Sequence, residues 1–133
     1  MKNEKTYKLC IVDDDPFLLD MYNLKFQQAG HNVACFTEGD KALDTLRKEH
    51  DFDALLLDIV MPNITGYDVL RTIREENLCG TKTSIVILSN QGQEKDIEEA
   101  RAYGIDSYLV KANTLPSEVL EKVTRIIEKK LKS

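Results

Sequence analysis

Cysteine is scarce in this sequence, and long hydrophobic runs and an excess of positive charge are absent. The three cysteines form no Cys-x-x-Cys pair and are odd in number, which excludes a disulfide scaffold and favours a reducing, cytoplasmic location. No run approaches the roughly 18 apolar residues of a membrane span, and the N-terminus lacks an apolar signal segment. The formal net charge of -5 argues against a nucleic-acid-binding surface. We therefore predict direct contact with neither nucleic acid nor membrane.

The 133 residues fit one domain, in which short apolar runs alternate with longer amphipathic stretches. The predicted strands are 7–12, 32–36, 53–57, 84–88 and 107–110. The predicted helices run from Pro16 to Gly30, over 39–49, around Tyr67 to Ile73, over 93–103, and from about Pro116. Five strand–helix repeats predict a doubly wound α/β domain, a flavodoxin-like five-stranded parallel sheet of order 2-1-3-4-5 with five helices on both faces.

Four of these strands end in a reactive or metal-binding side chain. Asp13 and Asp14 follow the first strand, Asp58 the third, Ser89 the fourth and Lys111 the fifth. In an open parallel sheet these ends share one edge, where ligands bind. Three neighbouring carboxylates repel one another, which raises at least one pKa unless a cation is present.

The chemistry open to this set is narrow. Oxygen ligands without histidine or cysteine favour a hard ion, Mg²⁺ first and Mn²⁺ second. With the charge neutralised, an aspartate can attack phosphorus and form an acyl phosphate, while a lysine and a serine hydroxyl contact the phosphoryl oxygens.

The sequence resembles the response-regulator receiver domains of two-component signalling, in particular the stand-alone chemotaxis type. The resemblance extends from Lys8 to about Ile127 and depends on four motifs in order, each closing a predicted strand. The motifs are IVDDDP at 11–16, LLDIVMPNITG at 56–66, VILS at 86–89 and DSYLVK at 106–111.

The resemblance implies a phospho-acceptor and its metal ligands. Asp58 is then the acceptor and also a metal ligand, and Asp14 binds Mg²⁺ directly. Asp13 holds a metal-bound water, and the main-chain carbonyl of Val60 completes the ligands from the protein. Val60 and Gln91 lie where the family tunes dephosphorylation, and an apolar Val60 suggests a long-lived phosphoryl group.

The resemblance also implies a switch. Ser89 is the hydroxyl that moves toward the phosphoryl group, Lys111 contacts that group, and Tyr108 is the aromatic side chain that responds. Half-buried packing is an equally good interpretation of Tyr108. Two residues depart from the family pattern: Asn90 stands where a small residue is usual, and Ala112 where proline is usual. We expect a trans peptide bond before Ala112, because a cis bond without proline costs about 3–4 kcal/mol.

The resemblance further implies function and partners. The phosphoryl group comes from a sensor histidine kinase or a phosphotransfer protein, and the protein is a regulator with only self-phosphorylation and autodephosphorylation half-reactions. Five strand–helix units account for residues 1–133, which predicts a single receiver domain without an output domain. Its surface change is then read by a downstream protein in trans. We expect a monomer or a dimer that forms on phosphorylation.

Two alternative functions remain open. A receiver-like binding module that is not phosphorylated is supported only by Asn90 and Ala112. A phosphatase of the haloacid-dehalogenase type is suggested by the Asp-x-Asp motif that begins at Asp13. That motif requires threonine or valine where Phe17 stands, and it leaves Asp58 unexplained.

The first helix carries more apolar residues than one inward face needs: Phe17, Leu18, Leu19, Met21, Tyr22, Leu24 and Phe26. We interpret them as a wide core stripe, with docking of a kinase helical hairpin as the alternative. Asp15 is predicted to be the N-cap of this helix rather than part of the site. His31 and His50 are predicted to lie at the surface or at a strand edge.

Overall fold

The computed structural model describes residues 5–90 and 92–132. Its strands are β1 (Lys8–Val12), β2 (Asn32–Phe36), β3 (Ala54–Leu57), β4 (Ser84–Ser89) and β5 (Ser107–Val110). Its α-helices are α1 (Pro16–Gln28), α2 (Gly39–Lys48), α3 (Gly66–Glu76), α4 (Glu94–Arg101) and α5 (Pro116–Leu131). A short 3-10 helix, Lys111–Asn113, joins β5 to α5 and was not predicted. Helix α4 is shorter than predicted at both ends.

All five strands are parallel and lie in the order β2-β1-β3-β4-β5, which confirms the predicted fold. Every residue of β3 and β4 is buried, because helices cover both faces of the sheet. Helices α1 and α5 pack on one face, and α2, α3 and α4 pack on the other. This two-sided core leaves the two ends of the strands as the places where polar side chains collect.

The helix next to the first strand begins as predicted. The Asp15 carboxylate accepts hydrogen bonds from the main-chain N–H groups of Phe17 and Leu18, and Pro16 occupies the first helical position. The chain leaves α1 through Gly30, whose φ of 94° is in the left-handed region that favours glycine. Helix α1 therefore has both of its predicted boundary signals in place.

Gly66 begins α3 directly against the end of β3. Its N–H donates to the carbonyl of Ile59 at 2.8 Å, and a Cβ at this position would collide with the main-chain oxygen of Asp58. Glycine is required here because the backbone approaches too closely for any side chain. Residues 59 to 66 consequently form a loop closed at its base beside Asp58.

The wide core stripe predicted for α1 is wrong for three of its residues. Leu19, Tyr22 and Phe26 are buried and fill the inward face. Three other side chains are exposed, by 83%, 44% and 57% respectively: Phe17, Met21 and Leu24. A 13-residue helix turns only one stripe toward the sheet, so these apolar residues face outward.

His31, predicted to lie at the surface or at a strand edge, directly precedes β2, an edge strand of the sheet, but it is not at the surface. Its ring is buried, stacks on Tyr7, and its Nδ1 accepts a hydrogen bond from the Tyr7 main-chain N–H at 3.1 Å. His50 is exposed, as predicted.

The three cysteines are free thiols. No helix of the described residues has the length and apolarity to cross a membrane.

Candidate functional site

Asp13 and Asp58 lie side by side at the carboxyl end of the sheet. The main-chain N–H of Asp13 donates to Phe36 in β2, and that of Asp58 donates to Val12 in β1, each at 3.0 Å. These bonds extend the parallel ladder one residue past the strands and fix both backbones. The two residues are only 1% and 5% exposed, so two carboxylates enter the interior together. Such a pair requires a nearby positive charge.

Lys111 supplies that charge from the end of β5. Its Nζ lies 2.6 Å from Asp13 Oδ2 and 2.9 Å from Asp58 Oδ2, and its side chain is 7% exposed. The contact with Asp58 has hydrogen-bond geometry, and the contact with Asp13 Oδ2 is the shorter of the two ion pairs. The second oxygens are also engaged, because Asp13 Oδ1 accepts from the N–H of Asp15 and Asp58 Oδ1 from that of Ile59.

Burial dominates the electrostatics of this group. It raises the pKa of Asp58, against the hydrogen bond and charge of Lys111, and the charge of Asp13 raises that pKa further. Burial alone would lower the pKa of Lys111, but the two carboxylates outweigh it and raise that pKa. The predicted rise of one carboxyl pKa is confirmed, with burial rather than repulsion as its main cause. Lys111 remains an ammonium at neutral pH.

The carboxylates also meet the needs of a hard metal ion. Asp13, Asp14 and Asp58 each place one carboxylate oxygen within 4.8 Å of the others. Asp14 is exposed, so the cluster is open to solvent on its side. An all-oxygen set with a net negative charge fits Mg²⁺, which keeps several waters and takes few carboxylates. These residues therefore fit the predicted cation.

The cluster opens into a cavity of about 330 Å³. The predicted site residues that line it are Asp14, Asp58, Val60, Ser89 and Lys111. Asp15 and Leu18 line it as well, although sequence reasoning left both out. Asp15 caps α1 as predicted, and Leu18 lies in the first turn of that helix. The position of Asp15 directly after Asp13 and Asp14 could have indicated that both residues lie beside the site.

Ser89 and Tyr108 are connected beside this cavity. Ser89 is fully buried at the end of β4, while Tyr108 is half-buried in the middle of β5 and does not line the cavity. Burial raises the pKa of Tyr108, and a side-chain hydrogen bond with Ser89 opposes that rise. Tyr108 also packs against the hydrophobic core, so both interpretations of this residue find support in its position.

Of the two departures from the family pattern, Asn90 lines this cavity, and Ala112 lines a neighbouring cavity beside α1. Asn90 is exposed and directly follows Ser89. The peptide bond before Ala112 is trans, as predicted, and Ala112 lies in the 3-10 helix that follows Lys111. Gln91, the other residue expected to tune dephosphorylation, lies outside the described residues.

Comparisons of the sequence and the fold with known proteins point to the same family. A sequence model of the response regulator receiver domain matches residues 9–124. The response regulator SaeR of Staphylococcus aureus is 30% identical over 119 residues, which make up 90% of this chain and 50% of SaeR. The chain thus spans about half the length of that relative.

Solved structures agree with this match. The BeF3-activated receiver domain of DrrB, a Thermotoga maritima OmpR/PhoB homologue, is 29% identical with a TM-score of 0.77. That alignment covers 93% of this chain and 99% of the other. A CheY-like receiver domain from Methanospirillum hungatei is 21% identical with a TM-score of 0.85, over 96% of this chain and 98% of the other. The chain therefore belongs to the response regulator receiver domains, the switch domains of two-component signalling.

Proposed function

We propose that this protein is a phospho-accepting switch in which Asp58 takes a phosphoryl group from a phosphohistidine of a kinase or phosphotransfer protein. A carboxylate oxygen of Asp58 forms the new bond to phosphorus as the phosphorus–nitrogen bond breaks, and the electron pair returns to the imidazole, which takes up a proton. The observation that carries this proposal is the hydrogen bond from Lys111 to the buried Asp58 at the wall of a solvent-open cavity.

The neighbours of Asp58 then have distinct tasks. Asp14, Asp58 and the main-chain carbonyl of Val60 would hold Mg²⁺ directly and Asp13 would hold it through a water; the ion would supply positive charge near the phosphoryl oxygens. Lys111 keeps its ion pair with Asp13 and offers its remaining N–H donors to the phosphoryl group. The amide of Ile59 holds one Asp58 oxygen, which leaves the orientation of the carboxylate fixed before reaction.

Phosphorylation is read through Ser89 and Tyr108. Ser89 lines the cavity of Asp58 and is hydrogen-bonded to Tyr108, so a shift of its hydroxyl toward the phosphoryl group changes the surroundings of the tyrosine ring. The resulting change at β5 and the adjoining helices is the output. We propose that a partner protein reads it in trans, with dimer formation as a second form of the same output.

The exposed apolar residues of α1 supply a surface for the phosphoryl donor. Phe17, Met21 and Leu24 lie on this surface, and Leu115, exposed by 65%, lies in the loop across from it. A cavity of about 440 Å³ between α1 and that loop is lined by Met21, Lys111 and Leu115 among others. This surface borders Lys111 directly, so an apolar helical hairpin docked here brings its phosphohistidine to Asp58.

The test uses a small phosphoryl donor, which removes the need for the cognate kinase. Incubation with Mg²⁺ and acetyl phosphate should give one acid-labile adduct, located by mass spectrometry on Asp58. Asp58→Asn should abolish it. Asp53→Asn, at the opposite end of the same strand, is the matched control and should retain it. Phe17→Ser should leave this reaction intact and slow transfer from a phosphorylated kinase.

Three results would contradict the proposal. Absence of any adduct together with absence of Mg²⁺ binding would indicate a receiver-like binding module. An adduct that persists in Asp58→Asn would place the acceptor elsewhere. Steady turnover of phosphomonoesters that survives Asp58→Asn and is lost in Asp13→Asn would indicate a phosphatase.

A further inference from the structure

A third cavity, of about 630 Å³, lies at the opposite edge of the sheet, where β4 and β5 begin. Its walls come from the end of α3, the two loops that enter these strands, and the last turn of α5. The residues that line it include Arg74, Thr81, Tyr103, Gly104 and Lys130. Among the described residues no acidic side chain lines it, although acidic residues outnumber basic ones by 23 to 18 in the chain. The cavity is thus a locally positive place in an acidic protein.

Two main-chain carbonyls hold Arg74 at the wall of this cavity. Its Nε donates to the carbonyl of Tyr103 at 2.7 Å and its Nη2 to that of Gly104 at 2.9 Å. A guanidinium has five N–H donors, so three remain after these two bonds. No carboxylate of the described residues forms an ion pair with Arg74. By contrast, three other arginines each pair with a carboxylate: Arg47, Arg71 and Arg125.

Lys130 is fixed at the same cavity from α5. Its Nζ contacts Asp106 Oδ1 at 2.8 Å, and the other oxygen of Asp106 accepts the N–H of Ile85 at 2.8 Å. Asp106 therefore orients Lys130 and offsets one of the two charges on the wall. Lys82 lies beside them, with its Nζ 3.5 Å from the main-chain carbonyl of Lys130. The positive charge of Arg74 remains uncompensated within this group.

Capping of the carbonyls after α4 explains the two bonds of Arg74, but it does not explain why no carboxylate of the described residues lines the cavity or pairs with this guanidinium. A guanidinium fork next to an ammonium and the Thr81 hydroxyl matches a group with several acceptor oxygens. The volume is within the range of about 300–1,000 Å³ typical of small-molecule sites. We propose that this cavity binds the phosphate or diphosphate group of a small molecule, independently of phosphorylation at Asp58.

The test is a titration with inorganic pyrophosphate in metal-free buffer at constant ionic strength, followed by amide NMR of the full chain. Saturable shifts are expected for residues 80–83 and 103–104, while amides beside Asp58 stay in place. Arg74→Gln should weaken binding at least about tenfold, because a charge-assisted bidentate contact is lost. Arg101→Gln is the matched control: it removes an exposed arginine that pairs with no carboxylate of the described residues and lies outside the cavity.

A further variant guards against loss of folding. Arg74→Gln also breaks two bonds to the loop before β5, so Lys130→Gln, which leaves those bonds intact, should weaken binding by itself about threefold or more. Shifts that do not saturate would overturn the proposal, as would equal weakening by Arg101→Gln and Arg74→Gln. If Arg74→Gln does not fold, an unchanged affinity of Lys130→Gln for pyrophosphate would overturn it.

Discussion

The polar side chains at the two edges of the sheet have different surroundings. At the amino edge, Thr83 donates to the Phe52 carbonyl at 2.8 Å, and Asp53 accepts the N–H of Lys8 at 2.9 Å. Asp106 divides its two oxygens between Ile85 and Lys130. Each of these side chains has a hydrogen-bond or ion-pair partner within the chain, and each of these contacts joins two segments that are distant in sequence.

At the carboxyl edge, the negative charges are not balanced by positive charges among the described residues. Asp13, Asp14 and Asp58 carry three negative charges, and Lys111 is the single cation in contact with them among the described residues. Two of the carboxylates are buried, where an unbalanced charge is most costly. From this difference we expect these polar groups at the amino edge to stabilise the fold, and the carboxylates at the carboxyl edge to lower its stability unless a cation is bound.

The largest contrast should come from removing one lysine at each edge. Lys111→Met leaves two buried carboxylates without their cation and should lower the free energy of unfolding by about 3 kcal/mol in metal-free buffer. Lys130→Met breaks a partly exposed ion pair and should cost about 1 kcal/mol or less. Urea denaturation of both variants measures the difference. Equal losses at the two edges would contradict the comparison.

Removing one carboxylate at each edge should give effects of opposite sign. Asp58→Asn relieves a buried charge whose pKa is raised, and should stabilise the metal-free protein by about 1 kcal/mol, or about 3–5 °C in melting temperature. Asp106→Asn loses the pair with Lys130 and should destabilise by about 1 kcal/mol. Thermal unfolding followed by circular dichroism checks both signs. A lower melting temperature for Asp58→Asn would show that its bond to Lys111 outweighs its burial.

The smallest effect should be a pH dependence at the amino edge. Burial lowers the pKa of His31, and the charge of Asp53 opposes this only in part. Below the unfolded-state pKa of about 6.5 the unfolded chain binds a proton that the folded chain resists, so stability should fall as the pH drops from 7 toward 5.

His31→Asn should reduce that slope, since the titrating ring is removed. His50→Asn, at an exposed position, should leave the slope as it is in the unaltered protein. The measurement is the melting temperature of the three proteins across this pH range. The same slope in His31→Asn as in the unaltered protein would mean that other groups carry the pH dependence.

Much of the fold could be predicted because its signals are local. The uninterrupted apolar runs of β3 and β4 indicate strands covered on both faces, and Asp15 with Pro16 indicates the start of α1. Since parallel strands bring their carboxyl ends to one edge, the approach of Asp13, Asp14 and Asp58 could also be predicted.

What the sequence could not reveal depends on contacts between distant segments. The sequence predicts Lys111 at the same edge as Asp13 and Asp58, but its ion pairs with both depend on the path of β5 and the 3-10 helix after it. The exposure of Phe17 depends on how α1 rotates against the sheet, since an apolar residue is compatible with either face. His31 is buried because its ring nitrogen accepts an N–H from Tyr7, a partner 24 residues away.

The hydrogen bond from Gly66 to Ile59 closes the base of the loop that carries Val60. Because Gly66 is hydrogen-bonded to Ile59 and lies directly against the main chain of Asp58, the backbone at Asp58 is held at the base of this loop. Val60 lies on that loop, is 56% exposed and borders the cavity of Asp58. Under the proposed function, we expect substitutions at Val60 to alter the lifetime of the phosphoryl group on Asp58 without changing the geometry of its attachment.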